Sequence, residues 1–61
     1  MTDNIEFSIG DFVFCTHEAY YGVSGRVIKK YVPTACEEQT MIETPDGRLF
    51  HAPTRVFLKI G

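Results

Sequence analysis

The stretch from Gly10 to Val27 constrains the fold of this chain more than any other. It reads Gly10-Asp11-x-Val13-x-Cys15, then Gly22-x-x-Gly25-x-Val27. Apolar residues at every second position predict a strand over residues 12–16, with Val13 and Cys15 on the inner face. His17 to Tyr21 form a loop carrying Glu18, Tyr20 and Tyr21. Glycine at 22 and 25 implies a positive φ or a close backbone approach, as a tight corner between strands requires. Arg26 to Val32 read as a second strand, and Pro33 ends it because proline has no N–H for a ladder.

The rest of the chain continues in short strands. Thr34 to Glu38 are a polar loop in which Ala35 to Gln39 have room for one helical turn, but no segment has the period of an amphipathic helix. Gln39 to Thr44 form a third strand. Thr44-Pro45-Asp46-Gly47-Arg48 is the strongest local signal: proline presets φ, and Gly47 takes the left-handed position of a three-residue hairpin loop. That turn pairs Thr44 with Arg48 and Ile42 with Phe50. Ile42, Phe50 and Ala52 then share one face, while Met41, Glu43, Leu49 and His51 share the other. Ala52-Pro53-Thr54-Arg55 breaks the fourth strand with a 3₁₀ turn, and Val56 to Ile60 close the chain as a fifth. The expected core is Ile9, Val13, Cys15, Val27, Ile42, Phe50, Ala52, Val56 and Leu58.

At 61 residues the chain is one domain near the lower size limit for folding without metal or disulfides. Residues 1–8, with Ile5 and Phe7 alternating, are a lead-in or an edge strand, and residues 9–61 are the domain. With 44% hydrophobic and 23% charged residues, disorder is excluded. Two cysteines are too few for a disulfide scaffold, and no apolar run reaches membrane-spanning length. A cytoplasmic location without membrane association is the expectation.

Taken together, these pieces resemble an SH3-like barrel of the KOW type. Such modules share the Gly-Asp-x-Val-x-Val opening, the Gly-x-x-Gly-x-Val loop end, a distal Asp-Gly hairpin and a closing apolar segment. Here those are Gly10 to Cys15, Gly22 to Val27, Asp46-Gly47, and Val56 to Ile60. The resemblance covers residues 9–60 and implies an all-β, five-stranded barrel with a short 3₁₀ turn before the last strand. KOW modules that bind RNA or RNA polymerase tend to be basic or to sit beside other domains, whereas this chain carries a net charge of −2. Small stand-alone barrels of this kind also resemble phage and prophage proteins.

Four constellations bear on function. If Val13 and Cys15 point inward, Phe12 and Phe14 point outward. With Tyr20, Tyr21 and Tyr31 they form a candidate protein-binding surface for a partner or a second copy. The competing explanation is that residues 1–8 fold back over Phe12 and Phe14, or that a bent strand buries both its faces. Second, Arg26, Lys29, Lys30 and Arg48, interleaved with tyrosines, are candidates for phosphate contact and base stacking. The competing and simpler explanation is an ordinary solvated surface balanced by neighbouring acids. Third, Cys15, His17, Cys36 and His51 have the residue types of a zinc site, but their spacing matches no finger and Cys15 occupies a core position. Fourth, Cys15, His17 and Asp11 lie near one another, yet alternation separates them and so small a barrel lacks a cleft. The expectation is a non-catalytic protein-binding module without cofactor, metal or small-molecule substrate. The alternative is a nucleic-acid-binding barrel acting in transcription or translation.

Overall fold

In the computed structural model, residues 7–60 are described, and they hold no α-helix. Five strands form one antiparallel sheet: β1 (Phe12–Cys15), β2 (Ser24–Tyr31), β3 (Gln39–Glu43), β4 (Leu49–Pro53) and β5 (Phe57–Lys59). Their order across the sheet is β4-β3-β2-β1-β5. The sheet is open, since no ladder joins β4 to β5 among the described residues. Two 3₁₀ turns interrupt it, Glu18–Tyr20 after β1 and Thr54–Val56 before β5. Most of the lead-in, including Ile5, lies outside the described residues.

The glycine pair that opens β2 divides its work. Gly22 takes φ +96° in the turn. Gly25 provides the close approach: a Cβ there would stand 2.3 Å from the Glu43 carbonyl oxygen, so only glycine lets β3 pass this near. The hairpin forms as the sequence predicts, with Thr44 N–H donating to Arg48 O at 2.8 Å, Gly47 at φ +89° and Ile42 opposite Phe50. The loop after β2 differs from expectation. It makes no helical turn; Cys36 N–H closes a β-turn onto Pro33 O at 3.1 Å, with Ala35 at φ +62°.

Val13, Cys15, Val27 and Ile42 are fully buried, and Ala52 and Val56 nearly so. Phe50 is half-buried and packs against them. Two expected core residues are instead on the surface. Ile9 is 66% exposed because the chain turns at Ser8–Asp11, held by Asp11 N–H to Ser8 O at 3.0 Å. Phe7, before that turn, takes the core place. Leu58 is 41% exposed because Val56 still belongs to the 3₁₀ turn, so strand alternation begins only at Phe57. Phe57 therefore faces inward opposite Cys15, and Leu58 outward opposite Phe14. Thr40 is also fully buried, its hydroxyl satisfied by Thr54 Oγ1 at 2.7 Å.

A β-bulge in β2 sets the last part of the core. Val27 pairs with Ile42 but Lys29 with Met41, so Ile28 is the extra residue. The bulge turns Lys30, rather than Lys29, toward the core face opposite Thr40. The Lys30 stem lies along Phe7, its ammonium 4.5 Å from the ring centroid and donating to Phe7 O. Aromatic rings then span the open side of the sheet. Phe7 meets Phe57 edge-on at 6.4 Å, and Phe57 meets Phe50 of β4 at 6.3 Å.

Replacing Gly25 with alanine is expected to cost about 3 kcal/mol or more, because backbone on both strands must move, and that is much of the stability of so small a domain. Gly47→Ala meets no neighbour and is expected to cost only the left-handed strain, about 1–2 kcal/mol. Urea denaturation of the two variants measures the contrast, and equal losses would contradict the close approach.

Candidate functional site

The outward face of β1 and β5 carries apolar side chains that the core does not use. Alternation in β1 turns Val13 and Cys15 inward and leaves Phe12 44% exposed and Phe14 half-buried. Leu58 pairs with Phe14 on this face. Ile60, 58% exposed, continues the pairing past β5, its N–H donating to Phe12 O at 2.7 Å. Tyr21 comes over from the loop after β1 and meets Phe14 edge-on at 6.2 Å. Phe12, Phe14, Leu58, Ile60 and Tyr21 thus make one apolar strip. Phe7 lies on the other side, against Phe57, and does not cover Phe12 or Phe14.

The strip grades into charge along the sheet. Arg26 stands opposite Phe12, with its guanidinium carbon 5.7 Å from the ring centroid. Glu43 stands opposite Arg26, and Leu49 opposite Glu43. One row therefore crosses β4, β3, β2 and β1 and ends just past β5, in the order Leu49, Glu43, Arg26, Phe12, Ile60. A shallow groove of about 290 Å³ lies beside it, walled by Phe12, Arg26, Glu43, Thr44, Pro45 and Gly47.

Of the five aromatic candidates, Phe12, Phe14 and Tyr21 are brought together and the other two are not. Tyr20, adjacent to Tyr21 in sequence, packs at 5.3 Å on Phe50, a ring on the core side. Tyr31 lies five residues beyond Arg26 on β2, about 15 Å along the strand, with the Lys29 ammonium 5.1 Å from its ring centroid. Leu58, Ile60, Leu49 and Glu43 complete the face. Leu49 and Glu43 were already on the outward side of the hairpin by alternation, whereas the parity of Leu58 and Ile60 depends on a turn whose length the sequence does not display.

The four basic candidates are dispersed. Arg26 and Lys29 are on the outward face, each beside an aromatic ring. Lys30 is turned to the core side by the bulge. Arg48 sits in the hairpin with its Nε 3.1 Å from Asp46 Oδ2. The remaining two basic side chains meet acids, Arg55 with Glu37 at 3.0 Å and Lys59 with Asp11 at 3.6 Å.

The sulfur- and imidazole-bearing residues do not converge. Cys15 is buried in the core and Cys36 is exposed on the β2–β3 loop. His17 caps the first 3₁₀ turn, its Nδ1 accepting from Ala19 N–H at 3.1 Å. His51 is on the outward side of β4, opposite Met41. Among the described residues no three His, Cys, Asp or Glu side chains are grouped to hold a metal ion. Asp11 is engaged with Ser8 N–H at 2.9 Å and with Lys59, away from any nucleophile–base pair. No helix is long and apolar enough to cross a membrane among the described residues.

The chain matches no protein family, no curated protein and no solved structure.

One ionisable group on the groove side is perturbed. The Thr44 hydroxyl donates to the Asp46 carboxylate, and with the Arg48 guanidinium it holds that carboxyl below the ordinary aspartate value. A lowered folded-state value favours the charged form, so its stabilisation is complete above the unfolded value and is lost as pH falls through the folded one. Carboxyl-carbon NMR is expected to place Asp46 below an ordinary aspartate in wild type and to move it upward in Thr44→Ala. An unchanged titration in that variant would rule out the hydroxyl as the main cause.

Proposed function

We propose that this chain is a small non-catalytic protein-binding module, an SH3-like barrel of the KOW type, that docks partners through the outward face of β1 and β5. The observation that carries this reading is the exposure of Phe12, Leu58 and Ile60 on a face the core has no use for. A 61-residue domain has few large apolar side chains to spare. Placing these on the solvent side costs hydration free energy that only a partner recovers. Aromatic rings are also the residues that contribute most per contact at interfaces, because they bury large area with little rotamer loss. The groove beside Phe12 supplies a recess with one cationic and one anionic wall, which orients a partner without dominating its affinity. Reduced cysteines, one in the core and one on a loop, fit a cytoplasmic module.

The alternative, nucleic-acid binding in transcription or translation, draws on the two cation–ring pairs, Arg26 with Phe12 and Lys29 with Tyr31. These resemble pieces of a stacking platform. It has less support, because phosphate tracking needs contiguous cations and here Lys30 and Arg48 lie elsewhere.

Two measurements test the proposal. The double variant Phe12→Ser/Leu58→Ser is expected to lose only about 2 kcal/mol, since each side chain has about half of its area to lose. Phe57→Ser is expected to lose about 3–5 kcal/mol. An outward double variant that unfolds would show that those rings serve the fold instead. A short single-stranded RNA is expected not to bind at low salt. Binding there that weakens steeply with added salt would favour the alternative.

A further inference from the structure

We infer that the partner of the outward face is a second copy of this chain, seated about a two-fold axis that runs parallel to the strands between β2 and β3. The inference rests on the proposed docking role of that face and adds the identity of its occupant. It comes from the order of side chains in the row Ile60, Phe12, Arg26, Glu43, Leu49.

A two-fold axis in the plane between two facing sheets reverses the row of one copy over the other. With the axis between β2 and β3, each Arg26 faces the second copy's Glu43 and each Phe12 faces the second copy's Leu49, so Phe12 is the part of the docking strip that this contact buries, while Leu58 and Ile60 at the β5 edge lie beyond the overlap. Charge then meets opposite charge twice, and apolar meets apolar twice. The neighbouring row behaves the same way, because Lys29 faces Met41 and no like charges oppose each other. An interface of this kind uses the same patch on both copies and therefore closes as a dimer rather than growing into a fibre. It also sets the strands of the two sheets nearly parallel, the common aligned packing.

Arg26 and Glu43 are already prepared for such an exchange. They are register partners on adjacent strands, yet they form no ion pair among the described residues. Arg26 leans instead over Phe12, and the Glu43 carboxylate has no cation within 4 Å among the described residues. Each side chain is exposed and points into the space the second copy would fill. The sheet curls toward its core, where Phe50 meets Phe57, so the outward face is convex and the contact area is small. An interface at the low end of the usual size range gives association in the micromolar range or weaker.

The test uses the whole chain and charge reversal. Sedimentation equilibrium up to about millimolar chain is expected to show a wild-type mass rising from 6.9 kDa toward twice that value. Arg26→Glu alone and Glu43→Arg alone each set two like-charge pairs across the axis, and each is expected to weaken association at least about tenfold. Mixing the two single variants in equal amounts is expected to restore it, because in the mixed dimer both cross-axis pairs are again opposite in sign. The mixture leaves every within-chain pair as it was in the separate variants, so recovery reports the interface and not the fold; circular dichroism of each variant confirms folding. Wild type that stays monomeric throughout would overturn the second copy as occupant while leaving the face available to another protein. A dimer that the mixture fails to restore would overturn the axis. A dimer untouched by these variants and by Phe12→Ser/Leu58→Ser would place association elsewhere and overturn both this inference and the docking role.

Discussion

The contact between Phe50 and Phe57 holds the two edges of this sheet together. Among the described residues β4 and β5 share no ladder, so the sheet closes its hydrophobic side with side chains instead of backbone hydrogen bonds. Phe50 and Phe57 meet edge-on at 6.3 Å across that gap, in the geometry that aromatic quadrupoles favour. Phe7 extends the run of rings on one side and Tyr20 on the other. Lys30 caps the Phe7 end only because the bulge at Ile28 has rotated it inward. The bulge, the turn before Phe57 and the approach at Gly25 all bring these rings within reach of one another.

The same arithmetic explains why the other face is different. Once Phe7, Phe50 and Phe57 are committed to the gap and the aliphatic side chains to the sheet interior, the core has no further need of large apolar groups. Phe12, Leu58 and Ile60 stand outside that economy, and Phe14 and Tyr21 lean on each other beside them. The two tyrosines of the first loop mark the boundary: Tyr20 joins the core rings, and Tyr21 joins the outward strip. Arg26 and Glu43 give the outward face its direction, since they sit side by side without pairing with each other among the described residues.

Much of the fold was legible in the sequence wherever a strict period of two ran without interruption. Val13 and Cys15 inward, Phe12 outward, the Thr44–Arg48 hairpin, and the Ile42–Phe50 register all followed from alternation and turn chemistry. What failed was parity across irregular pieces. The 3₁₀ turn over Thr54–Val56 shifted the last strand by one residue, exchanging Leu58 for Phe57 in the core. The turn at Ser8–Asp11 exchanged Ile9 for Phe7. The bulge sent Lys30 away from Lys29, and the short turn at Glu18–Tyr20 separated Tyr20 from Tyr21. Each is a short local event that shifts strand parity by one residue; the 3₁₀ turn before β5 was visible at Pro53, but where it ends was not. For the candidate site, this means that Phe12 and Phe14 could be read directly, while their neighbours Leu58 and Ile60 needed the structure.

That the outward face of the sheet meets a second copy of itself, while the core face does not, is open to one direct measurement. Amide and methyl NMR spectra recorded across a wide dilution series report contact residue by residue. Concentration-dependent shifts are expected at Phe12, Arg26, Glu43 and Leu49, with Val13, Val27, Ile42 and Phe57 unmoved. Shifts centred on the core rings, or spectra that do not change with concentration at all, would contradict it.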